Sequence, residues 1–167
     1  MFKLQCIRHQ DVSEQQLKDI IRIKTVAWNY PYDKQLQWIY EHLLGNDIHC
    51  LLINGDEPLA YMNLVDSFMY IDGQNTKLYG IGNVCSTDVG KGYGRLLMQM
   101  VNEYIVAQSR VGLLFCKNKL VPFYSKFGWI IVEPNNYEIP YFMNDIYTMV
   151  FNITSDYNKL EYTNPLF

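Results

Sequence analysis

Apolar and polar residues alternate along FKLQCIRH, Phe2–His9, the two-residue period of a half-buried strand. Beyond Asp11 the period lengthens. Leu17, Ile20, Ile21, Lys24, Ala27 and Trp28 recur at helical spacing, and Ser13 with Gln16 has the pattern of a capping box. A helix is therefore expected up to the interruption at Pro31. Asp33 is the expected N-cap of a second helix, with Leu36, Ile39, Tyr40 and Leu43 on one face and Gly45 as its stop. DIHCLLI and LAYMNLVDSFMYI predict two strands joined through the turn-rich NGDEP, and KLYGIGNVCS returns as a third after DGQN. A helix is expected from Tyr93 to Ala107. The unbroken apolar run of GLLFCK then predicts a strand buried on both faces. LVPFYSKF reads as a short helix ended by Gly128, and WIIVE and IYTMVFNI as two closing strands. The order β-α-α-β-β-β-α-β-α-β-β predicts an α/β protein with a mixed sheet and helices on both faces. With no linker, repeat or low-complexity tract, residues 1–167 are expected to form one domain.

Composition narrows the function classes. Hydrophobic residues make up 49% and charged residues 19%, which fits a globular chain rather than a disordered one. Fourteen Lys and Arg against seventeen Asp and Glu give a net charge of −3, without the basic excess of a nucleic-acid binder. Cys6, Cys50, Cys85 and Cys116 form no C-x-x-C pair and stand at no zinc spacing to a histidine, so they read as reduced thiols and no metal is expected. MFKLQCIRHQ lacks the apolar run of a signal peptide, and no long apolar span follows. A cytoplasmic protein without membrane contact is the expectation.

The chemistry concentrates in STDVGKGYGRLLMQM, Ser86–Met100. Gly90, Gly92 and Gly94 stand at every second position just before a helix. The dinucleotide fingerprint G-x-G-x-x-G fails because its last position holds Arg95. The Walker A loop fails because Gly92 follows Lys91 and Cys85 stands upstream. The physical logic does not depend on those names. Backbone amides of a glycine-rich turn, aimed by a helix N-terminus, hold an anion, and Lys91 and Arg95 add charge at the rim. The alternative is a tight strand-to-helix turn with no ligand.

Taken together, VCSTDVGKGYGRLLM and the downstream FYSKFGW resemble the GNAT superfamily of N-acyltransferases over nearly the whole chain. The first segment is similar to that family's Q/R-x-x-G-x-G/A acyl-CoA loop, the second to its FYxKxGF/W segment. One departure stands out: Val89 occupies the position usually held by Gln or Arg. The resemblance implies a GNAT-like fold, a central and mostly antiparallel sheet with a splayed parallel pair. It implies acetyl-CoA as co-substrate. Backbone groups of Val84, Cys85 and Ser86 would then pair with the pantetheine arm, and the amides of Val89, Gly90, Lys91, Gly92, Tyr93, Gly94 and Arg95 would hold the pyrophosphate. Asn118 is a further candidate contact to the cofactor.

The expected reaction is direct transfer of an acetyl group to a primary amine in a ternary complex, the amine attacking the thioester in its neutral form. The resemblance makes Tyr124 the candidate acid toward the departing sulfur. It assigns no base. The strand positions that often carry a carboxylate hold Gly80, Gly82 and Asn83, leaving Asp66, Asp72, Asp88, Glu133 or a water chain. A covalent route through Cys85 or Cys116 is disfavoured because neither has a histidine beside it in sequence. His9, His42 and His49 show no ligand spacing. The aromatic run AWNYPYDKQLQWIYEHLL makes Trp28 and Tyr30 candidates for the acceptor wall, with core packing as the alternative. The expected partner is a small-molecule amine, and a homodimer stays open. A non-catalytic acyl-CoA-binding module and a protein N-acetyltransferase are the competing functions.

Overall fold

The computed structural model describes residues 1–133, 137–138, 145–153 and 156–167. Its elements are β1 (Phe2–Arg8), α1 (Glu14–Ala27), α2 (Tyr32–His42), β2 (Ile48–Asn54), β3 (Glu57–Ile71), β4 (Gln74–Ser86), α3 (Tyr93–Ala107), β5 (Val111–Lys117), α4 (Val121–Ser125), β6 (Ile130–Ile131), β7 (Tyr137–Glu138), β8 (Ile146–Phe151) and β9 (Leu160–Glu161). The sheet order is β1-β2-β3-β4-β5-β8-β6, with β9 on β3 and β7 on β9. β4 and β5 form a parallel pair in which Leu78–Ile81 stand opposite Val111–Leu114. The predicted element order is observed. The two-residue strands β7 and β9 are additions too short for an alternating pattern to announce.

Close contacts group the chain into two compact units, the first Met1–Val65 with Gly82–Val101 and the second Asp66–Ile81 with Asn102–Phe167. In the first, β1 pairs with β2 and β2 with β3, all antiparallel, with Cys6 opposite Cys50 and His49 opposite Asn63. α1 begins at the expected capping box: Gln16 N–H donates to Ser13 Oγ at 3.3 Å, and Ser13 N–H to Gln16 Oε1 at 2.9 Å. Leu17, Ile20, Ile21 and Ile23 of α1 and Ile39 of α2 pack with Leu51, Tyr61 and Cys85 into an apolar cluster. Two details of α2 differ from the expectation. Pro31, not Asp33, is the N-cap, and Asp33 lies in the first turn. Proline fixes the entry dihedral and has no N–H to satisfy, so the helix starts earlier. The buried face carries Gln35 and Ile39, whereas Tyr40 is exposed. Gln35 Nε2 donates to Thr25 Oγ1 and to the Trp28 carbonyl, both at 3.0 Å, and reaches the Tyr30 carbonyl at 3.4 Å. Those partners allow an amide to be buried.

In the second unit β5 is buried almost throughout, as its apolar run predicts, and pairs antiparallel with β8. Side chains alternate across it. Leu113 and Phe115 join an apolar cluster with Leu78, Val150, Tyr162 and Phe167. Gly112 faces Trp129, whose Cη2 would lie 2.5 Å from a Cβ at that position, so only glycine fits. The buried indole is pinned by its N–H, which donates to Asn102 Oδ1 of α3 at 3.1 Å, while Asn102 Nδ2 donates to the Phe127 carbonyl at 2.9 Å. Gly128, with φ +82°, ends the short helical segment just before it.

Candidate active site

The glycine segment closes the strand-to-helix turn of the first unit. Thr87 anchors it, its N–H and hydroxyl donating to the Leu59 carbonyl at 2.8 and 3.2 Å. Gly90 and Gly92 take the left-handed conformation, with φ of +92° and +81°. A Cβ built on Gly90, Gly92 or Gly94 would meet no atom within 4 Å, so no neighbouring side chain forces these glycines. The backbone itself faces open space. The first intrahelical bond of α3 runs from Leu96 N–H to the Gly92 carbonyl at 3.0 Å. The amides of Tyr93, Gly94 and Arg95 therefore precede the ladder, as the first N–H groups of any helix do. Val89 is 94% exposed, so only its backbone is placed to act. Lys91 and Arg95 are exposed, and Lys91 Nζ lies 3.5 Å from Asp88 Oδ2. This donor set, open and uncrowded at a helix start, fits a diphosphate.

Upstream, β4 bends at Asn83, whose φ is +55°. Val84 and Ser86 are half-buried and Cys85 is buried. Across from the bend, Asn83 Nδ2 donates to Asn63 Oδ1 at 2.7 Å. Asn63 is fully buried, and its Nδ2 has no hydrogen-bond partner. On the same strand neighbourhood sits a row of polar groups that sequence reasoning missed. Tyr61 Oη lies 2.9 Å from His49 Nδ1, and His49 Nε2 lies 3.0 Å from His9 Nδ1. Tyr61 and His49 are fully buried and His9 is half-buried. Burial, then His9, then Lys24 push the His49 pKa down to about 3, so the ring is neutral. Lys24, in the apolar stripe of α1, is itself buried, with Nζ 4.3 Å from the Trp38 ring centroid. Burial lowers its pKa to about 8, an effect the Cys85 thiol opposes. The signal was present as isolated polar residues in the apolar runs DIHCLLI and LAYMNLV, but only strand pairing brings them together.

In the second unit, Tyr124 of α4 is buried against Phe123 and Trp129. Burial, then the neighbouring Cys116, push its pKa up to about 12. Asn118 opens a 3-10 turn (Asn118–Leu120) and is exposed. The cysteines are free thiols. Burial raises Cys85 to about 12, against the pull of Lys24, and Cys116 to about 11. Both are protonated at neutral pH and poor nucleophiles.

The carboxylates considered as bases are largely engaged. Asp66 Oδ1 pairs with Arg110 Nη1 at 2.9 Å, and Asp72 accepts the N–H groups of Asn158 and Lys159. Asp88 lies beside Lys91, and Glu133 is exposed. Trp28 and Tyr30 are 37% and 64% exposed. Trp38, stacked on His42 and beneath Lys24, is instead part of the α1–α2 packing. Among the described residues no three His, Cys, Asp or Glu side chains are grouped to hold a metal ion, and no helix is long and apolar enough to cross a membrane.

Residues 8–132 match the family model of the acetyltransferase (GNAT) domain. No curated protein sequence matches the chain. Among solved structures, Escherichia coli ElaA is similar with a TM-score of 0.65 at 23% identity, over 90% of this chain and 99% of that one. An acyl-CoA N-acyltransferase from Pseudomonas aeruginosa gives 0.64 at 19% identity, over 90% and 99%. An aminoglycoside 6'-N-acetyltransferase complexed with coenzyme A gives 0.63 at 12%, over 88% and 96%. At these identities the structural likeness speaks for the fold.

Proposed function

The chain belongs to the GNAT acetyltransferase family, and from that premise we propose that it transfers an acetyl group from acetyl-CoA to the primary amine of a small molecule, directly and within a ternary complex. The observation that carries this reading is the turn from Gly90 to Arg95, with its left-handed glycines and uncrowded amides at the start of α3. Bound acetyl-CoA supplies the acyl group as a thioester. The amides of Val89 to Arg95 bind its diphosphate, helped by the positive end of the α3 dipole. The backbone of Val84, Cys85 and Ser86 aligns the pantetheine arm as an added strand would, and Asn118 offers one more polar contact.

Tyr124 acts on the sulfur. With its pKa at about 12, the hydroxyl is protonated throughout the neutral range. An ordinary thiol has a pKa of ~8.5. Full transfer from Tyr124 to a thiolate is therefore uphill, and its contribution is a hydrogen bond that stabilises the charge growing on sulfur. The raised pKa values of Cys85 and Cys116 favour direct attack by the amine over an acyl-enzyme. Trp28 and Tyr30 present exposed ring faces suited to a cationic amine. The test is thiol release from acetyl-CoA across a panel of primary amines. Amine-dependent release with matching acetyl-amine product supports the reading. Acetyl-CoA binding without transfer to any amine would reduce the protein to a binding module.

A further inference from the structure

The cysteine thiols take no part in the transfer proposed above, but two of them touch each other. Cys6 of β1 stands directly opposite Cys50 of β2 in the antiparallel register, and their sulfurs are 3.7 Å apart. Directly opposed residues of such a pair have Cα atoms roughly 4.5 or 5.5 Å apart, depending on the hydrogen-bonding position. Both values lie within the span of roughly 4.4–6.8 Å that a disulfide bridges. The pairing is unbroken from Phe2 to Arg8, so the two side chains share one face of the sheet. We propose that Cys6 and Cys50 are an oxidation site, a thiol pair that hydrogen peroxide converts into an intramolecular disulfide stapling β1 to β2.

The two thiols differ in access and in acidity. Cys6 is half-buried on β1, which ends the sheet, whereas Cys50 is fully buried. The hydrogen bond from Cys50 draws the Cys6 pKa below its usual value, and burial works against it. Burial, then the contact with Cys6, push the Cys50 pKa up. Cys6 is therefore the thiol that meets the oxidant, as a thiolate, and Cys50 the one that resolves it. In the first step the Cys6 sulfur attacks one oxygen of hydrogen peroxide. An S–O bond forms, the O–O bond breaks, and the departing hydroxide takes up the proton that Cys6 gave away. A sulfenic acid and one water result. In the second step the Cys50 sulfur attacks that of Cys6. An S–S bond forms, the S–O bond breaks, and the departing hydroxide takes the Cys50 proton as a second water. Two thiols lose two electrons and the peroxide gains them. The oxidant needs to reach Cys6 alone, because the second thiol already lies in contact with it.

Two further observations single out this pair. The first is the company of the other thiols. Cys116 Sγ meets the thioether Sδ of Met149 at 3.8 Å, and a thioether cannot close a disulfide. Cys85 is buried with its pKa raised to about 12, so it offers little thiolate. The second is room to move. A disulfide holds its sulfurs at ~2.05 Å, so those of Cys6 and Cys50 must close a gap of 3.7 Å by less than ~2 Å. Among the described strands β1 pairs with β2 alone, so it has no second neighbour to resist that shift. The bond joins residues 44 positions apart, and the ring it closes contains α1 and α2. It therefore restricts the unfolded chain over both helices.

The test treats the reduced, folded protein with hydrogen peroxide, blocks the remaining thiols with an alkylating agent and reads the intact and digested masses. The expected product has lost two hydrogens and titrates two thiols instead of four. Digestion should yield peptides joined through Cys6 and Cys50 that dithiothreitol separates. The unfolding constant in urea should fall by on the order of 10²-fold against the reduced form, as ring closure of this length implies, and should recover on reduction. Four thiols surviving the peroxide, a bridge through Cys85 or Cys116, a bridge between two chains, or oxygen added at Cys6 without a bridge would overturn the proposal. A bridged protein no more stable than the reduced one would refute the staple. Cys50→Ala removes the resolving thiol, so Cys6 should stop at the sulfenic acid, which dimedone labels. Cys6→Ser should leave Cys50 unmodified in the folded chain. If Cys50→Ala fails to fold, Cys6→Ser decides alone, because oxidation of Cys50 in its absence would remove Cys6 as the point of entry. None of these readouts involves acyl transfer, so the pair stands or falls apart from that reading.

Discussion

The side-chain amide of Asn63 lies directly over Gly82: a Cβ added at Gly82 would come within 3.2 Å of both Nδ2 and Oδ1. The absence of a side chain on β4 and the presence of a buried amide on β3 are therefore one arrangement. If the unpaired Nδ2 meets the acceptor, Asn63→Ala should raise the amine KM by roughly two- to thirteen-fold, the equivalent of one hydrogen bond of ~0.5–1.5 kcal/mol. Acetyl-CoA affinity should not change. Two-substrate kinetics measures both, and an unaltered amine KM would leave Asn63 as a packing residue.

Gly92→Glu is expected to abolish acetyl-CoA binding. It forces a side chain into a left-handed position, at a cost of ~1–2 kcal/mol, and puts a negative charge where the diphosphate would sit. Calorimetry with acetyl-CoA provides the measurement, and circular dichroism confirms that the variant is folded. Retained affinity would move the cofactor elsewhere.

Tyr124→Phe retains the ring packed on Phe123 and Trp129 and removes only the hydroxyl. The rate of the chemical step should fall by ~10²–10³-fold, the range for losing one donor to a charge that develops in the transition state. Melting temperature and acetyl-CoA affinity should be nearly unchanged. A wild-type single-turnover rate would reduce Tyr124 to packing.

Acid should destabilise the fold through His49. Its pKa is about 3 when folded, against 6.5 in the unfolded chain. Between these values the unfolded chain binds the extra proton, so stability is full above pH ~6.5 and is lost as pH falls toward 3. At ~1.4 kcal/mol per pKa unit the loss is on the order of 5 kcal/mol. His9, whose pKa burial also lowers, adds in the same direction. Urea unfolding at a series of pH values measures the slope, which His49→Gln should flatten.

Trp28→Ala and Tyr30→Ala should raise the amine KM by roughly two- to thirty-fold if their rings hold a cation, an interaction of ~0.5–2 kcal/mol. Both side chains are exposed, so neither change should lower the melting temperature much. Kinetics run beside thermal melts checks this. Stable variants with an unchanged amine KM would exclude the loop as the acceptor wall.

Local features were legible in the sequence to the extent that they are set by near neighbours. The Ser13–Gln16 capping box, the bounds of α3 and the buried run of β5 all follow from short-range pattern. The start of α2 did not, because Pro31 imposes its own dihedral ahead of Asp33. Gln35 was hidden for another reason. A polar residue enters the core only if partners wait there, and two of its partners are backbone carbonyls that no composition reveals. The same holds for His9, His49, Tyr61 and Asn63. His9, His49 and the Tyr61–Asn63 stretch stand far apart in sequence and meet only through the register of β1, β2 and β3.

Gln35 has a consequence for how this protein can change. Its amide holds the segment between α1 and α2 by the carbonyls of Trp28 and Tyr30, groups that every amino acid possesses. The tether is indifferent to which side chains project from those positions. Substitutions at 28 and 30 thus alter the outward surface while the segment keeps its course. An ancestral sequence could exchange one set of outward rings for another without renegotiating the packing of the two helices, and a new outward surface would arise there by single steps rather than by remodelling the fold.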